Sequence, residues 1–377
     1  MPEQLLTGNV GEWSEVYAFF HLMGTNELVP CDSNLQSLPD NHLPVIAIYR
    51  GEGPNGKIAY VYKDENGGTW EIHLNDLVCG SVPAADGKAE ATFLLESLLA
   101  SIRQQKKNNL QFPKAQKFLE RLCDCRLKAK ATDKEDIALR IQDIRAGQAV
   151  TCGFSIKSYL GSEPTLLNAS GDGTNILYRI DNITSDQVKE VEAAVEADPR
   201  HKLQVLMREL RAQGATFTCC GLLNPQFEKN LLFIDTAMPL LIGELLLMHY
   251  CSNEKSVSLV TELVAENDPL RFGDKELYRY KVKKFLEAVA LGLTPSAKNW
   301  NGAEDATGGF LIVKPDGELV TYHLYNRQAL DEYLLLYTKF ERPSTTRHKY
   351  GFLHTEEDGH LYLKLALQVR FCRPDKN

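Results

Sequence analysis

Apolar side chains recur every three to four positions between residues 10 and 23, which puts Trp13, Val16, Tyr17 and Phe20 on one stripe of a helix that begins after Thr7-Gly8-Asn9. Glu12 and Glu15 lie three apart and share a neighbouring face. The period then falls to two, predicting strands at 45–49, 57–62 and 68–74, and returns to helical spacing at 89–102 and 113–122. Two alternating runs, 136–143 and 149–157, flank Arg145-Ala146-Gly147-Gln148, where glycine makes a positive φ inexpensive, and so predict a tight hairpin. With the turn centred there, Asp136 faces Lys157 and Ala138 faces Ser155. Ile137, Leu139 and Ile141 then pair with Ile156, Phe154 and Cys152. One face of this hairpin belongs to a core, and the other carries a carboxylate, an amine and a hydroxyl.

Further along, 159–170 is too apolar for a plain linker and 175–180 reads as a strand. Thr184 and Gln187 form a capping box that opens a helical stretch over 186–213. Further helices cover 237–251 and 275–291, the latter stopping at Gly292. A hairpin around Pro315-Asp316-Gly317-Glu318 covers 310–325, and 360–371 is another strand. The order predicts an α/β to α+β fold in three regions: 1–180 with the acidic hairpin, a mainly helical 181–300, and an α+β region over 301–377. No internal repeat or low-complexity segment interrupts it.

With 377 residues, 44% of them hydrophobic, the chain is long enough for a sizeable core, and disorder is not the default. The net charge of −8 does not advertise nucleic-acid binding, yet it does not exclude a local basic face, and basic residues gather in 103–107, 121–134 and 339–349. Met1-Pro2-Glu3-Gln4 lacks the basic and apolar regions of a signal peptide. The longest apolar run, 238–248, is interrupted by Gly243 and Glu244 and is too short for a bilayer. Nine cysteines, an odd number, with spacings such as Cys123-x-Cys125 and Cys219-Cys220 that match no zinc pattern, read as thiols of a reducing cytoplasm. The sequons at Asn168 and Asn182 are then incidental.

A carboxylate beside an amine on one hairpin face is what metal-dependent phosphodiester hydrolysis needs: the acid holds Mg²⁺ and the lysine orients a nucleophile or offsets developing charge. A solvated cross-strand ion pair has the same appearance. Longer stretches carry more weight. Thr7-Gly8-Asn9-Val10-Gly11-Glu12-Trp13-Ser14-Glu15, Gly153-Phe154-Ser155-Ile156-Lys157-Ser158 with Leu160-Gly161, and Thr165-Leu166-Leu167-Asn168-Ala169-Ser170 come first. Asp305-Ala306-Thr307-Gly308-Gly309-Phe310, Pro343-Ser344-Thr345-Thr346-Arg347-His348-Lys349-Tyr350-Gly351 and Lys364-Leu365-Ala366-Leu367-Gln368-Val369-Arg370-Phe371 follow. In this order, over nearly the whole chain, they resemble the HpaII-type restriction endonuclease family.

The resemblance implies a bacterial type II restriction enzyme that cuts double-stranded DNA at a short palindrome, CCGG being the family's best-known site. It also implies Mg²⁺ dependence and a core of the PD-(D/E)xK nuclease fold, a mixed sheet flanked by helices, in the 1–180 region. Asp136 and Lys157 fill the first and last places of that superfamily's pattern, and Ser155 stands where its second acid is expected. A compensating carboxylate should come from the first helix, with Glu12 the first choice and Glu15 the second. Both glutamates could equally oppose the helix dipole. Asp143 lies about 23 Å along the strand from Asp136, too far to help.

Guanine offers N7 and O6 in the major groove to Arg or Lys, so Arg347 and Lys349, flanked by Ser344, Thr345, Thr346 and His348, are the expected base and phosphate readers in the C-terminal region. A solvated loop is the alternative. Arg370 is a weaker candidate, and the loop after the catalytic strand offers Asn168, Ser170 and Asn175. Symmetric cutting of a palindrome favours a homodimer, with a monomer cutting the strands in turn left open. A cognate methyltransferase would be a functional partner, not a physical one. Two other readings stand beside this one: a modification-dependent or repair nuclease on the same core, and a DNA-binding protein whose nuclease site has decayed at Ser155.

Overall fold

The computed structural model describes residues 5–373 apart from 54–55, 66, 128–134, 144–146, 297–299 and 324–326. The predicted first helix runs over Val10–Thr25, with Asn9 as its N-cap and Asn26 closing it in the left-handed conformation. Its apolar surface is wider than a stripe. Trp13, Val16, Ala18, Phe19, Phe20, Leu22 and Met23 are all fully buried, because the helix is wedged between a large sheet and the helix Ala84–Arg103. The two helices touch at glycine: a Cβ on Gly87 would come within 2.8 Å of the Met23 Cβ.

That sheet is nine-stranded and mixed. Its order is Leu319–His323, Gly309–Val313, Gln148–Ser158, Ile137–Asp143, Leu43–Gly53, Gly56–Lys63, Thr69–Leu74 and Leu77–Pro83, with Glu27–Leu28 alongside Leu43–Gly53. Gly309–Val313 runs parallel to Gln148–Ser158, and the other neighbours are antiparallel. All five residues of Gly309–Val313 are buried, as a strand covered on both faces requires. Leu311 and Val313 join the core under the N-terminal helices, while Phe310 and Ile312 join a second core of the remaining helices and strands. The hairpin assigned on sequence to a region beginning at 301 thus completes the sheet that carries Asp136 and Lys157. Helices cover the sheet, and the architecture is α+β.

Two smaller antiparallel sheets flank it. One has the order Thr216–Leu222, Asn175–Asp181, Leu361–Ala366, Leu353–Thr355, and the other Thr338–Phe340, Val369–Phe371, Thr165–Leu167. The single strand expected over 360–371 is therefore two strands in different sheets. It divides at Leu367-Gln368, where the Leu367 amide donates to the Thr174 carbonyl and the Gln368 carbonyl accepts from Glu341. The helical stretch expected over 186–213 comprises two helices, Ser185–Ala197 and Lys202–Ala212, parted at Asp198-Pro199, where proline restricts the residue before it and lacks an N–H. Pro225–Ile234, Val257–Asn267 and Arg327–Leu336 are helices without a counterpart in the sequence reading. Among the described residues no single helix is long and apolar enough to cross a membrane. The apolar Met238–Ser252 instead buries Leu241, Ile242, Leu245 and Leu246 in the second core.

Candidate active site

The 137–158 hairpin forms, but two residues out of the expected register. Ile137 pairs with Phe154, Leu139 with Cys152 and Ile141 with Val150, so Asp136 lies opposite Ser155 and not opposite Lys157. The turn expected at Arg145-Ala146 lies outside the described residues. A shift of two preserves which face each side chain occupies, so the same three polar groups still meet. Lys157 becomes the diagonal neighbour of Asp136.

The ladder ends at Ile137 while the partner strand continues to Ser158, leaving backbone groups of that strand unpaired on this edge. The Asp136 amide still donates to the Phe154 carbonyl at 2.9 Å, and its carboxylate takes over where the ladder stops. Oδ2 accepts from the Ile156 amide at 2.6 Å and from the Ser155 hydroxyl at 3.1 Å. Lys157 Nζ donates to Ser155 Oγ at 2.7 Å and lies 5.5 Å from the centre of the Phe310 ring. Ser155 is therefore a fully buried link between the acid and the amine. Behind it the Asp305–Phe310 motif packs closely: the Gly308 amide donates to the Gly153 carbonyl at 2.6 Å, and a Cβ on Gly308 would come within 2.5 Å of the Phe154 ring.

The first helix brings its two glutamates to this edge in different states. Glu12 completes a capping box, its Oε2 accepting from the Asn9 amide at 2.9 Å while Asn9 Oδ1 accepts from the Glu12 amide at 3.0 Å. Glu15, one turn deeper, has a buried Oε2 with no hydrogen-bond partner among the described residues. Burial, then the negative charge of Asp136, push its carboxyl up to about 8, with Arg50 and Lys157 opposing the shift and Glu12 adding to it. Ser158 Oγ donates to Ser14 Oγ at 2.9 Å, and Ser14 donates to the Val10 carbonyl at 2.7 Å, fixing the helix against the strand Gln148–Ser158.

Arg50 and Asp124 were not anticipated from sequence. Arg50 is buried on the strand beside Ile137–Asp143, its Nη1 3.0 Å from Oδ2 of the fully buried Asp124 and its Nη2 donating to the carbonyls of Arg126 and Leu127. A lone arginine in an alternating run gives no sign of a partner 74 positions away. Asp124 thereby fixes the Arg50 guanidinium, whose positive charge opposes the upward shift of Glu15.

A cleft of about 560 Å³ opens onto the site. Glu12, Glu15 and Lys157 line it, with Asn168 and Arg370 from the opposite wall and Lys107 and Asn108 at the helix start. Arg370 Nη2 donates to the Glu163 carbonyl at 3.0 Å. Lys107 and Asn108 were also missed as individual residues, although the basic stretch around them was noted.

The remaining expected DNA contacts form a second group. Ser344 caps a single helical turn, Thr345–His348, by accepting from the Arg347 amide, and Thr346, Arg347 and Lys349 are exposed around it. None of these residues lines the cleft. The loop bearing Ser170, itself exposed, is bonded to this turn: the Gly171 amide donates to His348 Nδ1 at 3.2 Å, and Asn175 Nδ2 donates to the His348 carbonyl at 3.1 Å. Asn175 is fully buried, which corrects its expected place at a DNA surface. It supports the turn from below. Among the described residues no group of three or more His, Cys, Asp and Glu side chains is arranged to hold a metal ion, so any ion here would rest on two carboxylates and non-protein or backbone oxygens.

The hairpin end of the mixed sheet thus joins a carboxylate, a hydroxyl and an amine, with a buried glutamate beside them and a cleft in front. The model of the HpaII restriction endonuclease family matches residues 9–371. The type II restriction enzyme HpaII of Haemophilus parainfluenzae is 34% identical over 372 residues, covering 98% of this chain and 99% of that protein. No solved structure matches. The chain belongs to the HpaII restriction endonuclease family, and it is a type II restriction enzyme, a site-specific deoxyribonuclease.

Proposed function

We propose that the chain hydrolyses double-stranded DNA at a short palindrome, CCGG, using Mg²⁺ bound at the end of the 137–158 hairpin, and that this hairpin is a PD-(D/E)xK site in which Ser155 has replaced the second acid. The observation that carries the reading is the orphaned Glu15 carboxylate next to Asp136. Two neighbouring acids, one of them buried with an unpartnered oxygen, suit a divalent cation, which would offset the burial and, after it, the repulsion from Asp136 that lift the Glu15 pKa. Asp136 and Glu15 would hold the ion, and Glu12, already engaged in the helix cap, takes second place.

When bound, the ion would polarise the scissile phosphate and lower the pKa of a coordinated water. Ser155 donates to Asp136 and so fixes the carboxylate rotamer, and it accepts from Lys157 and so aims the ammonium. Lys157 has N–H donors left over after that bond, with which it orients the attacking water and offsets charge on the phosphate oxygens. Lys107, Asn108, Asn168 and Arg370 would contact the backbone along the cleft, and Ser344, Thr345, Thr346, Arg347, His348 and Lys349, with Ser170, would read the site. Two copies acting as a homodimer in the bacterial cytoplasm fit a palindromic substrate, with a methyltransferase protecting the host's own sites. Digesting a plasmid of known sequence with Mg²⁺ and sequencing the fragment ends tests the proposal. Cleavage confined to unmethylated CCGG and lost in Asp136→Ala is expected, whereas cuts at other sequences, or cuts that survive Asp136→Ala, would overturn it.

A further inference from the structure

The bond between the 168–175 loop and the 344–349 turn has a consequence for recognition. A backbone amide can only donate, so the 3.2 Å contact from the Gly171 N–H makes His348 Nδ1 an acceptor and therefore unprotonated. In the neutral ring the proton is then on Nε2. That nitrogen is neither buried nor hydrogen-bonded among the described residues. Two further constraints prevent the ring's backbone from drifting: the buried Asn175 amide holds the His348 carbonyl, and the Tyr350 hydroxyl, fully buried, donates to Pro343 across the base of the turn at 2.7 Å. Gly171 adopts φ +59, a conformation suited to glycine, and this orients its N–H towards the ring.

We propose that His348 is a recognition residue locked in the Nε2–H tautomer by Gly171, presenting one fixed donor to an acceptor on DNA, either a purine N7 or O6 or a phosphate oxygen. The loop after the catalytic strand thereby sets the hydrogen-bonding character of a reader more than 170 positions away in sequence. This rests on the reading that the 344–349 turn faces DNA. The flanking Arg347 and Lys349 side chains are exposed, and among the described residues no hydrogen bond fixes their donors.

Two conservative variants separate the ring nitrogens. In His348→Asn the side-chain oxygen falls near the position of Nδ1 and keeps the inner acceptor, while the outer donor is lost; in His348→Gln the amide nitrogen falls near Nε2 and keeps the outer donor. The full-length protein, without divalent metal, is titrated by fluorescence anisotropy with a short duplex carrying the sequence it cuts and with a scrambled duplex, and amide exchange is followed at Gly171. His348→Asn should retain Gly171 protection and lose about tenfold in affinity for the cut sequence. His348→Gln should lose the protection and keep more of the affinity. A loss confined to the cut sequence identifies a purine edge, and a loss shared by the scrambled duplex identifies a phosphate; either supports the proposal. Unaltered binding by His348→Asn, or equal Gly171 exchange in the two variants, would overturn it. If Arg347→Ala and Lys349→Ala also bind like the wild type, the DNA-facing reading of the turn fails; if they bind more weakly while His348→Asn does not, only the role of His348 fails.

Discussion

The hairpin end at Asp136 and the turn at Arg347 solve opposite problems with the same materials. At the hairpin, charged groups are drawn out of water: Asp136 is compensated through Ser155 by Lys157 and Arg50 by Asp124, while Glu15 is set against the like charge of Asp136. At the turn the charges stay in solvent, and the fixed points are backbone groups and buried neutral side chains, Asn175 and Tyr350. The first arrangement stores electrostatic stress that a cation can release, which suits chemistry. The second holds a shape and leaves its donors available, which suits recognition.

Removing a catalytic partner should therefore act on turnover and removing a reader on affinity. Asp136→Ala should abolish Mg²⁺-dependent plasmid cleavage without loss of DNA binding, and Lys157→Ala should lower single-turnover cleavage about 10²- to 10³-fold. A Lys157→Ala enzyme with normal cleavage and weakened binding would erase the contrast between the regions. Arg347→Ala should weaken binding of the cut sequence about five- to hundredfold in metal-free anisotropy titrations, with single-turnover cleavage at saturating enzyme much less affected.

The stress at Glu15 is measurable without DNA. Its folded-state pKa is raised to about 8 from 4.5, so between those pH values the unfolded chain binds fewer protons at this position than the native one, and stability contributed here falls as pH rises through that window. Glu15→Gln should consequently melt several degrees above wild type at pH 8 in metal-free buffer, with the difference shrinking towards pH 4. A pH-independent difference would mean that Glu15 is not held protonated. The smallest effect belongs to Glu12→Gln. Glutamine can still fill the capping box, so thermal melts should change by no more than about 1 kcal/mol, and cleavage should fall far less than in Glu15→Gln.

The sequence carried the polar faces further than it carried the pairings. Period-two alternation is sufficient to put Asp136, Ser155 and Lys157 on one side of a hairpin, but register depends on where the turn closes, and a two-residue slip leaves the pattern of faces untouched. Helical spacing located Val10–Thr25, yet both glutamates sit near its start, and only packing separates the one that caps the helix from the one left unpartnered against Asp136. Asn175 resembled a surface asparagine because its burial depends on Leu361–Ala366 pairing with its strand from across the chain. The place of Gly309–Val313 beside Gln148–Ser158 was hidden for the same reason, since a parallel pairing between distant segments leaves no local mark.

Titrating metal-free protein with Mn²⁺, read by electron paramagnetic resonance in the presence of uncleavable duplex, tests the central claim that Asp136 and Glu15 together hold a divalent cation. The account predicts a bound ion in wild type and in Glu12→Gln, and its loss or marked weakening in both Asp136→Asn and Glu15→Gln. Equal binding by wild type and Glu15→Gln would contradict it.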